Sequence, residues 1–195
     1  MLDDVERENE GDLILAAADM TTEKMAFMVR YTAGLVCAPM LPSRAQLLDL
    51  PLMVTANQDI HQTAYTVSVD AALPAITTGV SAHDRALTCR TLAQADATPD
   101  HFTRPGHVLP LQARPGGVRE RTGHTEAAVE LCRLAGKPLV GVVCELVDDG
   151  EPVEGQAIFR APDMMRRDAC LAFGRKWGLK VCTIADLVAY VERTE

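Results

Sequence analysis

The longest apolar stretch of the chain runs from Leu139 to Val147 and is interrupted only by Glu145. Its apolar residues are consecutive and not alternate, which fits a strand covered on both faces and so a central position in a sheet. Elsewhere the pattern changes period repeatedly. Leu13–Ala18 is apolar without clear period and suits either a strand or the start of a helix. Thr21-Thr22-Glu23 supplies an N-cap with an acid in the first turn. Met25, Met28 and Val29 follow at helical spacing, and Gly34 closes the segment. Leu35-Val36-Cys37-Ala38 reads as a short buried strand stopped by Pro39, and Ser43 opens a short helix that ends before Pro51. From Ala64 to Asp70 alternation is strict, with Tyr65, Val67 and Val69 on one side and Thr66, Ser68 and Asp70 on the other, which predicts a half-buried strand.

Ser81 followed by Asp84 resembles a capping box and starts a helix that reaches about Ala95. Arg104-Pro105-Gly106-His107 predicts a tight turn that presents His107 just ahead of Val108-Leu109. Ala128, Leu131, Cys132 and Ala135 share one helical face, and Gly136-Lys137-Pro138 stops that helix. Asp148–Gly155 reads as an acidic surface excursion, Asp163–Lys176 as a helix and Leu179–Thr183 as a strand. A final helix spans Ile184–Glu192, with Ile184, Leu187, Val188 and Val191 inward. Strands and helices are mixed without a regular βαβ rhythm. The expected fold is therefore α+β: a single domain over residues 1–195, with one mixed sheet covered by helices.

Composition narrows the function classes. A chain of 195 residues with 48% hydrophobic content is large enough for one sizeable core. The net charge is −8 and there is no Lys/Arg-rich block, so nucleic acid is not an expected partner. The longest apolar run is far too short to cross a bilayer, and Met1-Leu2 is followed at once by acids where a secretory signal would be apolar. None of the six cysteines, Cys37, Cys89, Cys132, Cys144, Cys170 and Cys182, forms a C-x-x-C. They read as free thiols of a cytoplasmic protein.

Three stretches carry chemistry that core packing does not demand. Asp3-Asp4-Val5-Glu6-Arg7-Glu8-Asn9-Glu10-Gly11-Asp12 has six carboxylic acids against one guanidinium, contains turn residues, and runs directly into a segment that must be buried. Carboxylates held on a turn suit a hard divalent cation, and the arginine suits an anionic group on a substrate. Arg114-Pro115-Gly116-Gly117-Val118-Arg119-Glu120-Arg121-Thr122-Gly123-His124-Thr125-Glu126 combines three arginines with an irregular backbone. Its last residues open a helix, where free N–H groups and the helix dipole favour a phosphate. His124 there suits either an extra donor or a metal ligand. Glu145 is a carboxylate in an otherwise apolar strand, which needs either a partner or a functional reason. Thr77-Thr78-Gly79-Val80-Ser81 is a further candidate anion site at a helix start.

Taken together, Asp3-Asp4-x-x-Arg7-Glu8-Asn9-Glu10-Gly11-Asp12-Leu13, Thr77-Thr78-Gly79-Val80-Ser81, Arg104-Pro105-Gly106-His107-Val108, Gly116-Gly117-Val118, Arg121-Thr122-Gly123-His124-Thr125-Glu126-Ala127 and Cys144-Glu145 resemble the 3,4-dihydroxy-2-butanone 4-phosphate synthases of riboflavin biosynthesis. The resemblance spans about Asp3 to Tyr190. It implies a lyase-type enzyme that turns ribulose 5-phosphate into 3,4-dihydroxy-2-butanone 4-phosphate and formate. It also implies Glu8 and His124 as protein ligands of a Mg²⁺ or Mn²⁺ pair. Arg7, Glu8, Asp12, Thr78, Arg121, Thr122, Gly123, His124, Thr125 and Glu145 would contact the sugar phosphate. His107 and Glu145 would be required for turnover, Cys37 would lie close to the pocket, and Asp12, Glu10 and His107 are the candidates for removing the first proton. Family members are homodimers with the active site where the subunits meet. Most carry a leading helix and strand before the Asp-Asp pair, so such a segment is expected to be missing here. The stretch Glu151–Phe159 resembles an insertion of the fungal branch.

Overall fold

The computed structural model describes residues 1–194, and residue 195 of the expected domain lies outside them. A five-stranded mixed sheet forms the centre. Its strands are β1 (Asp12–Ala16), β2 (Cys37–Met40), β3 (Val69–Ala71), β4 (Phe102–Gln112) and β5 (Gly141–Glu145), in the order β1-β5-β2-β4-β3. The β2–β4 pair is parallel, while β1–β5, β2–β5 and β3–β4 are antiparallel. Helices α1 (Thr22–Thr32) and α3 (Ala82–Ala93) cover one face, with the short α2 (Pro42–Leu47) between them in sequence. Helix α4 (His124–Leu134) covers the other face. The α+β expectation therefore holds.

The continuous apolar run forms β5, an interior strand, and both of its faces are used. Val142 and Cys144 join Met25, Met28, Ala86 and Leu92 in the larger core, while Val143 packs with Cys37, Leu111 and Ala128 beneath α4. Gly141 gives α4 room, because a Cβ there would lie 2.8 Å from the Ala128 Cβ.

Several local expectations are corrected. β2 continues through Pro39 to Met40. The Val36 carbonyl accepts from Leu109 of β4 and the Met40 carbonyl from Ala113 just past its end, so the N–H that Pro39 lacks falls on the β5 side, where the ladder has thinned to the Cys37↔Val143 pair and a Met40↔Val140 bridge. α1 ends at Thr32, and Ala33, not Gly34, takes the left-handed conformation. Within Ala64–Asp70 only Val69–Asp70 belongs to a regular strand, and Thr66 is fully buried because its hydroxyl bonds the Pro110 carbonyl. Arg104–His107 is not a turn between elements. It is a bulge inside β4, across which the pairing jumps from Val69↔Val108 to Asp70↔Thr103. Gly106 permits this close approach, since a Cβ there would sit 1.9 Å from the Val69 carbonyl carbon.

Beyond β5, the 147–164 excursion folds as two small ladders, β6 (Val147–Asp148) with β9 (Asp163–Met164) and β7 (Glu151–Pro152) with β8 (Phe159–Arg160). The helix expected from Asp163 therefore begins at Arg167, as α5 (Arg167–Trp177). Residues 179–183 form no regular strand; Leu2 bridges Thr183 and donates to the Cys182 carbonyl. α6 (Ile184–Thr194) buries Ile184, Leu187 and Val191. Phe27 and Tyr31 of α1 meet Phe173 and Trp177 of α5 in one aromatic cluster, with Trp177 edge-on to Phe27 at 5.1 Å. Five of the six free cysteines are buried and Cys182 is exposed. No helix among the described residues is long and apolar enough to cross a membrane.

Candidate metal and substrate site

Asp12 opens β1 and Glu145 closes β5, and the two are direct partners in the antiparallel register. Alternation places both on the α4 side of the sheet, with Cys37 on the neighbouring strand β2 and His124 and Thr125 on the first turn of α4. The acidic loop that precedes β1 folds back over this end. One cavity is thus lined by Arg7, Glu8, Glu10, Asp12, Cys37, Thr63, Tyr65, Arg121, His124, Thr125 and Glu145.

The loop is organised by Asp3. Its buried carboxylate accepts from the Glu8 N–H (3.2 Å), the Glu10 N–H (2.8 Å) and the Arg7 guanidinium (2.8 Å). The Asp4 carbonyl accepts from the N–H groups of Arg7 and Asn9, and Asn9 takes a positive φ of 54°. These bonds aim the Arg7 and Glu8 side chains, which are in contact with each other, at the cavity. Asp3, Glu8 and His124 bring ligand atoms within 4.8 Å of one another. Both Asp3 oxygens are already committed to the loop, which leaves Glu8 and His124 as the groups with capacity for an ion.

The His124 Nδ1 stands 3.8 Å from Glu8 Oε2 and 3.6 Å from Asp12 Oδ1, outside hydrogen-bond reach of both. The His124 Nε2 and Asp12 Oδ1 are buried without a hydrogen-bond partner. Native folds rarely leave such buried atoms unpaired, so each has capacity for a further partner. The charges are strongly coupled. The His124 imidazole, and then Arg7, hold the Glu8 carboxyl down at about 2. Burial pushes Asp12 up to about 6 against the pull of His124. Burial lowers His124, but the Asp12 and Glu8 carboxylates outweigh it and its net shift is upward. Burial raises Glu10, and burial with Glu145 nearby raises Cys37 well above the usual thiol range.

Glu145 receives the N–H of Leu35 at 2.7 Å, which answers how its carboxylate is accommodated at the end of an apolar strand. Gly34 makes that approach possible, because a Cβ there would lie 2.3 Å from Glu145 Oε2. Arg121 lines the cavity, but three of its donors are engaged: Nε on the His61 carbonyl (3.1 Å), Nη2 on Thr63 Oγ1 (3.1 Å) and Nη1 on Glu126 (2.6 Å). Gly123 is the α4 N-cap and packs on that guanidinium, with room for a Cβ only 2.2 Å from Nη1. Thr122 faces an adjoining cavity beside Asp3 and Asn9.

Not every sequence-predicted site residue reaches this cavity. His107 and Thr78 are absent from its lining. The exposed His107 ring bonds Asp70 on β3. Arg114 and Arg119 border a different cavity with Glu130 and Arg133, and Arg119 reaches the Val191 carbonyl of α6. Sequence reasoning passed over His61, whose Nε2 is 3.9 Å from Glu8 Oε1, together with Thr63, Tyr65 and Asp70. The signal for the first two was the run Asn57-Gln58-Asp59-Ile60-His61-Gln62-Thr63, whose Asn57 and Asp59 side chains tie its own backbone.

The pattern of the 3,4-dihydroxy-2-butanone 4-phosphate synthase family matches residues 1–190. A 3,4-dihydroxy-2-butanone 4-phosphate synthase of Pyricularia oryzae is 65% identical over all 195 residues, which cover 84% of its length. One from Schizosaccharomyces pombe is 53% identical over 98% of this chain and 89% of its own. A crystal structure of a 3,4-dihydroxy-2-butanone 4-phosphate synthase in complex with two magnesium ions superposes with a TM-score of 0.97 at 65% identity, covering 99% of this chain and 89% of that one. The acidic loop and the Gly-His-Thr-Glu helix start thus lie in the context their chemistry requires, and the chain belongs to the 3,4-dihydroxy-2-butanone 4-phosphate synthase family.

Proposed function

We propose that the chain converts D-ribulose 5-phosphate into L-3,4-dihydroxy-2-butanone 4-phosphate and formate in riboflavin biosynthesis, as a Mg²⁺- or Mn²⁺-dependent lyase with two ions per site. The observation that carries this reading is the Glu8–His124–Asp12 cluster, with its orphaned His124 Nε2 and Asp12 Oδ1 beside a carboxylate held at about 2. One carboxylate and one imidazole suit Mg²⁺, which keeps several waters and takes its remaining oxygens from substrate. When bound, the ions stabilise negative charge on the ketone and hydroxyl oxygens of the sugar.

The chain's own residues supply the rest. Proton removal next to the ketone gives an enediol; water is then lost, the carbon skeleton rearranges, and a water molecule adds at C4, which leaves as formate. A base must reach several carbons in turn, which suits the carboxylates of Glu10, Asp12 and Glu145 on one wall. The α4 N-terminus from Thr122 to Thr125, with the remaining donors of Arg121, receives the phosphate. Cys37, buried and protonated, shapes the floor as a small apolar group.

A homodimer completes the site. His107 and Thr78 lie outside the cavity of their own chain, and Leu47, Leu52, Met53, Val54 and Val80 leave apolar surface exposed on the segments around them. A second copy that covers this surface would bring its His107 to the acidic cavity. The test is formate release from ribulose 5-phosphate with Mg²⁺ and then with excess EDTA. Metal-dependent formate in step with substrate loss supports the reading. Substrate loss without formate refutes it in favour of a sugar-phosphate isomerase or aldolase using the same enediol.

A further inference from the structure

The acidic loop is fastened from inside by Asp3 and from outside by a residue far along the chain. Arg166 directly precedes α5 with extended backbone, and its side chain caps nothing on that helix. The guanidinium reaches across to the loop instead. Its Nη1 donates to the Glu8 and Asn9 carbonyls at 3.1 Å each, and its Nη2 donates to Asp163 Oδ1 at 3.2 Å. No backbone N–H among the described residues donates to either carbonyl. The Asp3 carboxylate and the Asp4 carbonyl thus hold the N–H groups of the Glu8–Glu10 corner, and Arg166 holds its carbonyls. Arg166 is itself fixed to the sheet. The Met165 N–H donates to the Leu146 carbonyl (2.8 Å), the Leu146 N–H donates to the Gly11 carbonyl (2.8 Å), and Met165 packs on Leu2, Leu146 and Cys170. The arginine is therefore rooted against the residue that follows Glu145, and its tip ends on the backbone of Glu8.

We propose that Arg166 is a positioning residue for Glu8: it holds the Glu8–Asn9 corner down over the cavity before any ion arrives, so that a divalent cation meets the Glu8 carboxylate already in place beside His124. The proposal rests on the reading that Glu8 and His124 take such a cation. Without a latch the corner has reason to open. Asp3, Asp4, Glu6, Glu8 and Glu10 crowd one short turn and repel one another. Asn9, at a φ of 54°, has left-handed backbone, which a residue other than glycine keeps where surrounding bonds fix it. The planar fork of an arginine serves two carbonyls and a carboxylate at once, a geometry that a lysine ammonium meets only in part. Charge alone predicts the opposite sign from positioning. A guanidinium beside a metal site repels the ion, so its removal would tighten binding. Loss of a group that orients a metal ligand weakens binding instead, by about 10- to 100-fold.

The full chain is titrated with Mn²⁺ by calorimetry, and hydrogen exchange of the Glu8, Asn9 and Glu10 amides is followed by NMR without metal. Arg166→Ala is expected to weaken Mn²⁺ binding by about 10- to 100-fold and to speed exchange of all three amides. At saturating Mn²⁺ its kcat for formate release should stay within about threefold of wild type, because excess ion repopulates the closed loop. Arg166→Lys should recover part of the affinity. Arg175→Ala removes the same charge from an exposed position elsewhere on α5 and should change neither readout. The proposal alone falls on any of four results in Arg166→Ala: affinity unchanged or tightened, amide exchange unchanged, a kcat loss that excess Mn²⁺ does not recover, or a weakening that Arg175→Ala reproduces. A wild-type chain that binds no Mn²⁺, or binds it equally well after Glu8→Ala, overturns both the proposal and the reading it rests on.

Discussion

Gly34→Ala is a minimal change that reaches the acidic cavity without replacing any group that lines it. The added methyl would lie 2.3 Å from Glu145 Oε2 and 2.7 Å from both the backbone N and O of Glu145, where ordinary contacts start at 3.4 Å. The carboxylate can swing away, but the two backbone atoms belong to an interior strand and have no free direction. The Gly34 and Glu145 segments must therefore part by about 0.7 Å, a distance at which the Leu35 N–H to Glu145 bond of 2.7 Å is lost or badly aligned. Gly34 is not among the glycines with positive φ, so the whole effect is steric. Forcing a methyl into such a contact costs about 1–3 kcal/mol of stability. With Glu145 in its proposed substrate-contacting role, a displacement on this scale is expected to lower kcat by about 10²-fold. Urea unfolding gives the first quantity and initial rates of formate release give the second. A variant that melts as wild type and keeps kcat within about twofold would show that the Glu145 clamp is not needed, and the reasoning would fail.

Glu8→Ala and His124→Ala are each expected to abolish metal-dependent formate release while the assembly survives; calorimetric titration with Mn²⁺ checks the loss of ion binding directly. Arg121→Ala frees the His61–Thr63 segment and Glu126 together, so KM for the sugar phosphate is expected to rise by more than kcat falls; an unchanged KM counts against the phosphate role. Met28→Ala, at a fully buried position against the sheet, should lower unfolding free energy by about 2–5 kcal/mol in urea titrations. For Asp84, burial raises the carboxyl, but hydrogen bonds from Thr77, Gly79 and Ser81 outweigh it and the net shift is downward. Its contribution is therefore complete above the unfolded value near 4 and is lost as pH falls through the lower folded value. Asp84→Ala should show a shallower loss of stability between about pH 4 and pH 2 than wild type, measured by thermal melts across that range.

Much of this was legible before any coordinates. Residues whose neighbours in space are also neighbours in sequence gave themselves away: the Asp3–Asp12 turn and the Gly123 helix start depend on local bonds, and local turn chemistry is written in residue type. β5 was equally clear, because an interior strand needs apolar side chains on both faces. What failed were inferences about what happens beside a residue. Pro39 stops a strand only where its missing N–H is needed, and that depended on how far β5 runs alongside. Arg104-Pro105-Gly106-His107 has the composition of a turn, but Val69 sits where a turn would need space, and the same residues became a bulge. Arg121 looked free to hold a phosphate, and its ties to His61 and Thr63 cross about sixty residues of chain. The partnership of Asp70 with His107, 37 positions apart, has no local signature at all.

The aromatic cluster between α1 and α5 has a practical side. Trp177 is the chain's one tryptophan, and it is wedged among Phe27, Tyr31 and Phe173, with its ring centroid 4.7 Å from that of Tyr31. Its emission therefore reports on a single event, the seating of the C-terminal arm on the helix that leads into Gly34 and Leu35. Loosening of that arm will redden and dim the signal before the sheet melts, and energy transfer from Tyr31 will fade with it. The protein carries its own optical probe outside the lining of the acidic cavity. A stopped-flow trace can follow arm docking in refolding without any label and without interference from substrate.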